Sequence, residues 1–181
     1  MKVIISIFLV ILLVVGTAGC TFQNFDFFDS NDTKNYTGYG VSFNYPGTWM
    51  VISDNATGIR NIGVYKKENS TLNPTQINIE LMSTQGMSKE SVISLYRNTQ
   101  TPGWTKISEN TRTIDGETAY EDVYEVNDTV NFSELMRIHQ ITFVKNDTLY
   151  LILLHAPDKE FDVEKPVFDM ILESFKVVKS N

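Results

Sequence analysis

Cysteine is nearly missing from this chain of 181 residues, which contains only Cys20. A single cysteine cannot close a disulfide within the chain, so the fold must rely on its hydrophobic core. The chain is long enough to bury such a core in one domain. A nucleophilic cysteine is therefore excluded everywhere except at residue 20 itself.

Recognisable catalytic motifs are also missing. The sequence has no Gly-x-Ser-x-Gly elbow, no Ser-x-x-Lys pair, no His-Glu-x-x-His motif and no glycine-rich phosphate loop. Nucleophile, zinc and phosphate sites of these kinds depend on such fixed spacings. We therefore predict no catalytic, metal-binding or cofactor-binding residues, and we expect a protein that is not an enzyme.

Basic residues are outnumbered, because 15 lysines and arginines stand against 22 aspartates and glutamates, for a formal net charge of −7. Sequence-independent binding to nucleic acid needs a basic surface, which this composition does not favour. The hydrophobic share of 42% is typical of a globular protein rather than of a disordered one. Nucleic acid is not an expected partner, whereas cations and basic proteins remain open.

The first nineteen residues carry the pattern of an export signal. Lys2 precedes an apolar run over residues 3–15 that only Ser6 interrupts, and small residues then lead to Cys20. The run is shorter than the roughly 20 residues of a typical membrane-spanning helix. We predict a signal peptide over residues 1–19 and a lipid on Cys20 after cleavage. The alternative is an uncleaved N-terminal transmembrane anchor.

Both forms of attachment place the rest of the chain outside the cytoplasm, because the positive charge of Lys2 tends to stay inside. Residues 20–36 lack helical or strand periodicity and are rich in turn residues, which indicates a lipid-anchored tether. The globular domain is predicted over residues 37–179. The membrane is thus an expected partner through the lipid anchor, and a protein of the cell envelope is another.

Asn-x-Ser/Thr sequons are more frequent than the composition alone would give. In an exported protein these asparagines are candidate sites of N-glycosylation. The alternative is that they mark turns, where Asn and Thr are common. The sequons begin at Asn31, Asn35, Asn55, Asn69, Asn127, Asn131 and Asn146.

Short segments with alternating apolar and polar residues predict a series of β-strands. Asp115-Gly116 and Asn146-Asp147 separate consecutive strands and are typical of tight turns. Strands are predicted over residues 39–45, 49–52, 62–65, 76–82, 104–114, 117–126, 135–145 and 149–154.

Two helices are predicted as well. The first begins after Ser88, a typical N-cap residue, and ends before Pro102. Its apolar positions at helical spacing are Val92, Ile93, Leu95 and Tyr96. The second carries an apolar stripe over residues 167–175, and Pro166 is expected near its first turn, where a missing amide hydrogen matters little.

The predicted strand over residues 149–154 differs from the others because all six residues are apolar or aromatic. A strand that is apolar on both sides must be covered on both faces, which predicts the central strand of a sheet. We therefore expect an α+β protein with an antiparallel β-sheet flanked by helices on both faces.

The segment Gly40-Val41-Ser42-Phe43-Asn44-Tyr45-Pro46-Gly47-Thr48-Trp49 resembles the opening of PsbP-like domains. The order of elements is similar too, from short strands through a helix and a meander to a final helix that ends in Ser174-Phe175-Lys176-Val177. The resemblance spans residues 37–178, and with its export-signal pattern the chain is similar to exported prokaryotic PsbP-related lipoproteins. It implies an α-β-α sandwich and a non-catalytic binding or assembly role at the cell envelope. The alternative function is a receptor domain for a small molecule or a cation.

Three groups of residues are candidate functional sites, and each group also has a purely structural interpretation. Trp49 is interpreted as a core anchor rather than a ligand-stacking residue. His139 and His155 are expected to meet across the sheet if their strands pair, but two imidazoles fall short of a zinc site. The acidic residues are interpreted as solvated turns rather than calcium ligands. They are Asp115, Glu117, Glu121 and Asp122, and Asp158, Glu160, Asp162 and Glu164.

Overall fold

A computed structural model of the chain describes residues 32–56, 58–66, 75–99, 101–127 and 134–178. Within these residues the chain forms ten strands and two helices. In chain order they are β1 (Thr33–Gly38), β2 (Val41–Pro46), β3 (Trp49–Ala56), β4 (Ile59–Lys66), β5 (Gln76–Ser83), α1 (Lys89–Asn98), β6 (Trp104–Ile114), β7 (Glu117–Val126), β8 (Met136–Lys145), β9 (Thr148–Pro157), α2 (Asp158–Ser174) and β10 (Lys176–Val177).

The centre of the fold is a seven-stranded sheet with the strand order β3-β4-β5-β9-β8-β7-β6. Every neighbouring pair in it is antiparallel. The all-apolar strand β9 is the fourth of the seven, so its predicted central position is confirmed. A second, three-stranded antiparallel sheet has the order β1-β2-β10.

Two tight turns set the register of the long strands. Asp115 (φ 47°) and Gly116 (φ 82°) join β6 to β7, and Asn146 (φ 50°) and Asp147 (φ 54°) join β8 to β9. Asn and Asp tolerate the left-handed region better than most residues, and glycine adopts it freely. Because the twist of such turns matches the twist of the strands, each pair continues as an antiparallel hairpin, and the β6–β7 register shifts only between Lys106 and Ser108.

One face of the large sheet packs against α2 and the three-stranded sheet. Phe143 and Tyr150 stack with their ring centroids 4.8 Å apart, and Phe175 lies edge-on to both at 6.0 Å. Phe43 of β2 stacks on Phe175 at 6.3 Å and joins the small sheet to this core. This face is therefore closed by aromatic side chains.

The opposite face packs against α1. Val92 and Ile93 of this helix are buried against Ile138, Leu151 and neighbouring residues of the sheet. Ser88 caps the helix as predicted, because its hydroxyl accepts a hydrogen bond from the amide of Ser91. With a helix on each face the fold is an α+β, α-β-α sandwich, as the sequence predicts.

The first strand corrects the predicted domain start. Residues 33–36, assigned to the tether, belong to β1, which pairs with β2. Tyr36 stacks on Phe43 at 5.1 Å, so this strand contributes to the core. The single strand predicted over residues 39–45 is wrong at its start, because Tyr39 and Gly40 form the β1–β2 turn with positive φ.

Both helices also differ from expectation. In α1, Leu95 is 53% exposed rather than part of the buried face. In α2, Pro166 lies inside the helix rather than near its first turn, because the helix already begins at Asp158. Phe161 and Glu164 are buried on the early turns, and this burial extends the helix towards its N-terminus.

The predicted signal peptide (residues 1–19), the tether up to residue 31 and Cys20 lie outside the described residues. Neither α1 nor α2, nor any other described segment, forms a helix of the length and apolarity needed to cross a membrane.

Candidate functional site

An open cavity of about 1090 Å³ lies where α1 ends above strands β6, β7 and β8. It exists because α1 is a helix of ten residues and leaves the sheet beyond its C-terminus uncovered. The cavity is lined by Leu95, Tyr96, Arg97, Asn98, Thr99, Thr101, Pro102, Gly103, Trp104, Lys106, Tyr124 and Gln140.

Aromatic side chains form part of the cavity wall. The rings of Trp104 and Tyr124 lie 5.5 Å apart at an angle of 57°. The hydroxyl of Tyr96 donates to the sulfur of Met82 at 3.2 Å, which fixes that ring. Burial, and then the nearby charge of Asp122, raise the pKa of Tyr124, so this phenol stays neutral.

A buried carboxylate beneath the cavity holds two cationic side chains. Asp122 has no exposed surface. Its two oxygens accept from Nη2 and Nε of Arg97, both at 2.7 Å, and Nζ of Lys106 lies 3.0 Å from Oδ1. Burial by itself raises the pKa of Asp122, but the hydrogen bonds from Arg97 and Lys106 outweigh it and hold the pKa below its usual value.

Further contacts fix the same two cations. Glu109 lies 3.2 Å from Arg97 and 3.4 Å from Lys106. The Arg97 guanidinium stacks over Tyr120 at 4.5 Å, and the Lys106 ammonium lies 5.7 Å from the Tyr124 ring centre. The two cations and two carboxylates have a formal charge sum of zero. The charged groups of this cavity are therefore mutually neutralised, with Asp122 as their buried centre.

A smaller cavity of about 280 Å³ lies on the same face of the sheet, over β3, β4 and β5. Ile52, Asn61, Tyr65 and Glu80 are among its lining residues. Burial raises the pKa of Glu80. The face that carries α1 thus has two open regions, one on either side of the helix-covered centre.

The two histidines do not meet. His139 lies opposite Leu154, as expected from the hairpin, but His155 lies opposite Ile138, so the two imidazoles project from opposite faces. His139 is 2% exposed, packs against Phe168 at 4.8 Å and contacts Glu121 at 2.5 Å through Nε2. Burial lowers the pKa of His139 although Glu121 opposes this effect, and burial lowers the pKa of His155 to about 4.

Six of the eight residues in the acidic clusters are ion-paired rather than solvated, which corrects the interpretation from sequence, whereas Asp162 is exposed and Glu160 accepts a hydrogen bond from Thr75. Asp115 accepts from Lys145 at 2.7 Å, Glu117 from Lys89 at 2.7 Å and Glu164 from Lys66 at 2.6 Å. Asp122 and Glu164 are fully or nearly fully buried. No set of three or more metal-ligating side chains is assembled within the residues that the structure describes.

Trp49 is a core residue, as predicted, because only 3% of it is exposed and it belongs to the cluster under α2. Four predicted sequon asparagines fall in the described residues: Asn35, Asn55, Asn127 and Asn146 are all exposed. The sequons at residues 31, 69 and 131 lie outside them.

Sequence reasoning missed the cavity. Arg97, Trp104 and Asp122 are separated along the chain, and only the pairing of β6 with β7 beneath α1 brings them together. One signal was present: Tyr120, Asp122 and Tyr124 alternate on one face of β7, which places a carboxylate between two aromatic rings. An acidic residue at such a half-buried position needs a cationic partner.

Solved structures of similar fold come from three different settings. LpqN of Mycobacterium tuberculosis, described as involved in cell envelope biogenesis, is 13% identical with a TM-score of 0.61, over 81% of this chain and 91% of its own. Cyanobacterial PsbP (CyanoP) of Synechocystis sp. PCC 6803 is 16% identical with a TM-score of 0.52, over 81% and 92%. The Saccharomyces cerevisiae Ran-binding protein Mog1p is 14% identical with a TM-score of 0.53, over 81% and 96%.

At these low sequence identities the similar solved structures establish only the fold of this chain. Among curated protein sequences, none matches this chain significantly. The family assignment comes from the sequence itself, since the model of the PsbP-like protein family matches residues 3–177. The chain is therefore a member of the PsbP-like protein family.

Proposed function

We propose that this PsbP-like protein is a non-catalytic binding or assembly factor, held on the extracytoplasmic face of the cell membrane by a lipid on Cys20. The cavity beside α1 is its binding surface. The observation that carries the proposal is the set of charged groups in this cavity, which are held in place by one another rather than poised to react.

Proton-transfer catalysis needs a group whose pKa lies near the working pH. In this cavity the pKa values are shifted away from the neutral range. The pKa of Asp122 is lowered, whereas the pKa values of Arg97, Lys106 and Tyr124 are raised, so all four move away from neutrality. Groups with fixed charge and fixed position suit recognition rather than acid–base chemistry.

The similar structures support a role of this kind. LpqN is described as involved in cell envelope biogenesis, and Mog1p as a Ran-binding protein. Neither description names a reaction. The export-signal pattern before Cys20 supports an envelope location for this chain as well.

A photo-crosslinking amino acid tests the binding surface. We expect a crosslinker at Leu95, on the cavity rim, to capture a partner or ligand in native membranes. The matched control is the same crosslinker at Val163, which is 64% exposed on the outer side of α2. Capture at both positions, or at Val163 alone, would contradict the proposal.

The anchor is tested separately. Replacing Cys20→Ser should release the protein from the membrane fraction, and the intact mass of the wild type should show cleavage before Cys20 plus the added acyl chains. An unchanged membrane association with an uncleaved N-terminus would favour the transmembrane anchor instead.

The exposed sequon asparagines are proposed glycosylation sites. Asn127 is a good example. Its backbone N–H donates to the Gly103 carbonyl at 3.0 Å, while the residue itself stays exposed at the end of β7. Enzymatic deglycosylation should lower the mass of the native protein. An unchanged mass after the treatment would mean that these asparagines are turn residues without glycans.

A receptor for a small molecule is the second candidate, and the volume of the cavity favours it. Ligand pockets usually have volumes of about 300–1,000 Å³, and this open cavity of about 1090 Å³ lies slightly above that range.

A further inference from the structure

We infer that the cavity beside α1 binds a neutral carbohydrate. This inference rests on the proposed function and names the class of ligand for the same site. It is argued from the charge of the cavity, from its aromatic wall and from the hydrogen-bonding groups that face it.

The charge of the cavity disfavours ionic ligands. An anion attracted by Arg97 and Lys106 also meets Asp122 and Glu109, which already hold these cations at 2.7–3.4 Å. A cation attracted by Asp122 and Glu109 likewise meets the positive charges of Arg97 and Lys106. Either ligand would compete with these pairs, and displacing the pairs of Asp122 would leave a buried charge without its partner.

The polar groups also disfavour a purely apolar ligand. A lipid chain in this cavity would cover Arg97 and Lys106 without offering a hydrogen bond to the N–H groups that Asp122 and Glu109 do not occupy. Burial of polar groups without partners is unfavourable. The ligand must therefore be uncharged and rich in hydrogen-bonding groups.

The aromatic wall adds a second requirement. Trp104 is partly exposed and lies 5.5 Å from the ring of Tyr124, which is only 9% exposed, and both line the cavity next to polar groups. Aromatic rings contribute a large apolar contact area with a fixed geometry. A sugar ring has an apolar C–H face and a rim of hydroxyl groups. Its face therefore packs against the aromatic wall while its hydroxyl groups form hydrogen bonds with the polar groups.

The rim at the end of α1 supplies acceptors for such hydroxyl groups. The Thr99 hydroxyl donates to the Leu95 carbonyl at 2.6 Å, and the Asn98 amide donates to Ser94 at 2.9 Å. Because these donors are turned towards the helix, the oxygen lone pairs of both side chains are left to accept. Arg97 and Lys106 are donors on the other side. The volume of about 1090 Å³ admits more than one sugar ring.

Isothermal titration of the detergent-solubilised full chain tests the inference. The probes are neutral tetrasaccharides of glucose, mannose and N-acetylglucosamine, compared with a heparin tetrasaccharide, spermine and palmitate. We expect saturable binding of at least one neutral tetrasaccharide and none of the charged or lipid probes. Trp104→Ala should weaken it about tenfold or more, the loss typical of a central aromatic contact, and Trp104→Phe should restore most of it.

Two further variants keep the test decisive if Trp104→Ala folds poorly. Leu95→Arg, at an exposed rim position, should add a charge and weaken binding without a change in melting temperature. Val163→Ala, on the opposite face, should leave binding unchanged. Binding only of the heparin tetrasaccharide, spermine or palmitate, or no binding at all, would overturn the inference. If a crosslinker at Leu95 nevertheless captured a protein, the proposed function would stand while the carbohydrate assignment fell.

Discussion

The two faces of the seven-stranded sheet are closed to different degrees. On one face α2 spans 17 residues and buries six side chains, and a small sheet extends the cover. On the other face α1 spans ten residues and buries only two. Helix length therefore separates the two faces, since the long helix completes the core and the short one leaves part of the sheet uncovered as a cavity.

The polar residues of the two faces differ in the same way. His139 lies under α2 between aromatic rings, with Glu121 as its partner, and reaches no described cavity. Asp122, its near neighbour in the sheet, holds Arg97 and Lys106 at the edge of an open cavity. Buried polar groups thus serve the core on one face and shape a surface on the other.

The largest expected effect compares two aromatic truncations. Phe175→Ala removes a ring packed against Phe43, Phe143 and Tyr150, and should lower the free energy of unfolding by about 3–5 kcal/mol. Trp104→Ala removes a half-exposed ring and should cost about 1–2 kcal/mol, because less apolar surface is lost. Urea unfolding followed by far-UV circular dichroism measures both. Equal losses would mean that the two faces are packed alike.

For ion-paired carboxylates the larger loss of stability is expected on the α1 face rather than on the α2 face. Asp122→Asn leaves Arg97 and Lys106 without their shared anion and should cost about 2–3 kcal/mol, somewhat below the range for fully buried pairs. The matched change Asp169→Asn, under Arg112 and Lys165 on the α2 side, should cost about 1 kcal/mol, since that carboxylate is partly exposed.

The same carboxylate predicts a dependence on pH. Because the pKa of Asp122 is lowered in the folded state, its contribution is present above its unfolded pKa and is lost as the pH falls through the folded value. Acid unfolding of wild type and Asp122→Asn should therefore converge at low pH. A constant difference between them would contradict the assigned ion pairs.

A third effect concerns His155. Burial lowers its pKa from 6.5 to about 4, so the unfolded chain takes up a proton before the folded one does. This stability is present above pH 6.5 and is lost as the pH falls towards 4, to an extent of about 2 kcal/mol after allowance for partial exposure. His155→Gln should flatten the stability profile in this window, and an unchanged slope would mean that the imidazole is solvated.

The smallest effect is expected at two exposed apolar residues. Leu95→Ala and Val163→Ala should each change the free energy of unfolding by no more than about 0.5 kcal/mol. A loss above about 1 kcal/mol at Leu95 would mean that this residue belongs to the core of α1, as its sequence spacing predicts. Thermal unfolding of the two variants side by side decides this.

Much of the fold could be predicted because its signals are local. Alternation identified β5 and β7, the Asp115-Gly116 and Asn146-Asp147 turns fixed two hairpins, and the apolar run over residues 149–154 identified the central strand. Each of these features depends on neighbours in sequence.

The misses have a common physical cause, which is that tertiary contacts overrode local patterns. The β1 strand is polar and exposed at most positions, so only its pairing with β2 makes it a strand. Pro166 is tolerated inside α2 because buried residues before it, such as Phe161, extend the helix. The cavity depends on ion pairs between residues 25 positions apart, such as Arg97 and Asp122, which no local pattern indicates.

Acrylamide quenching of the two tryptophans tests the difference between the faces most directly. Trp49→Phe leaves Trp104 as the single fluorophore, and Trp104→Phe leaves Trp49, which is 3% exposed. The account predicts that quenching is several-fold more efficient for Trp104 than for Trp49, because Trp104 lines an open cavity whereas Trp49 is buried. Equal quenching of the two residues would contradict it.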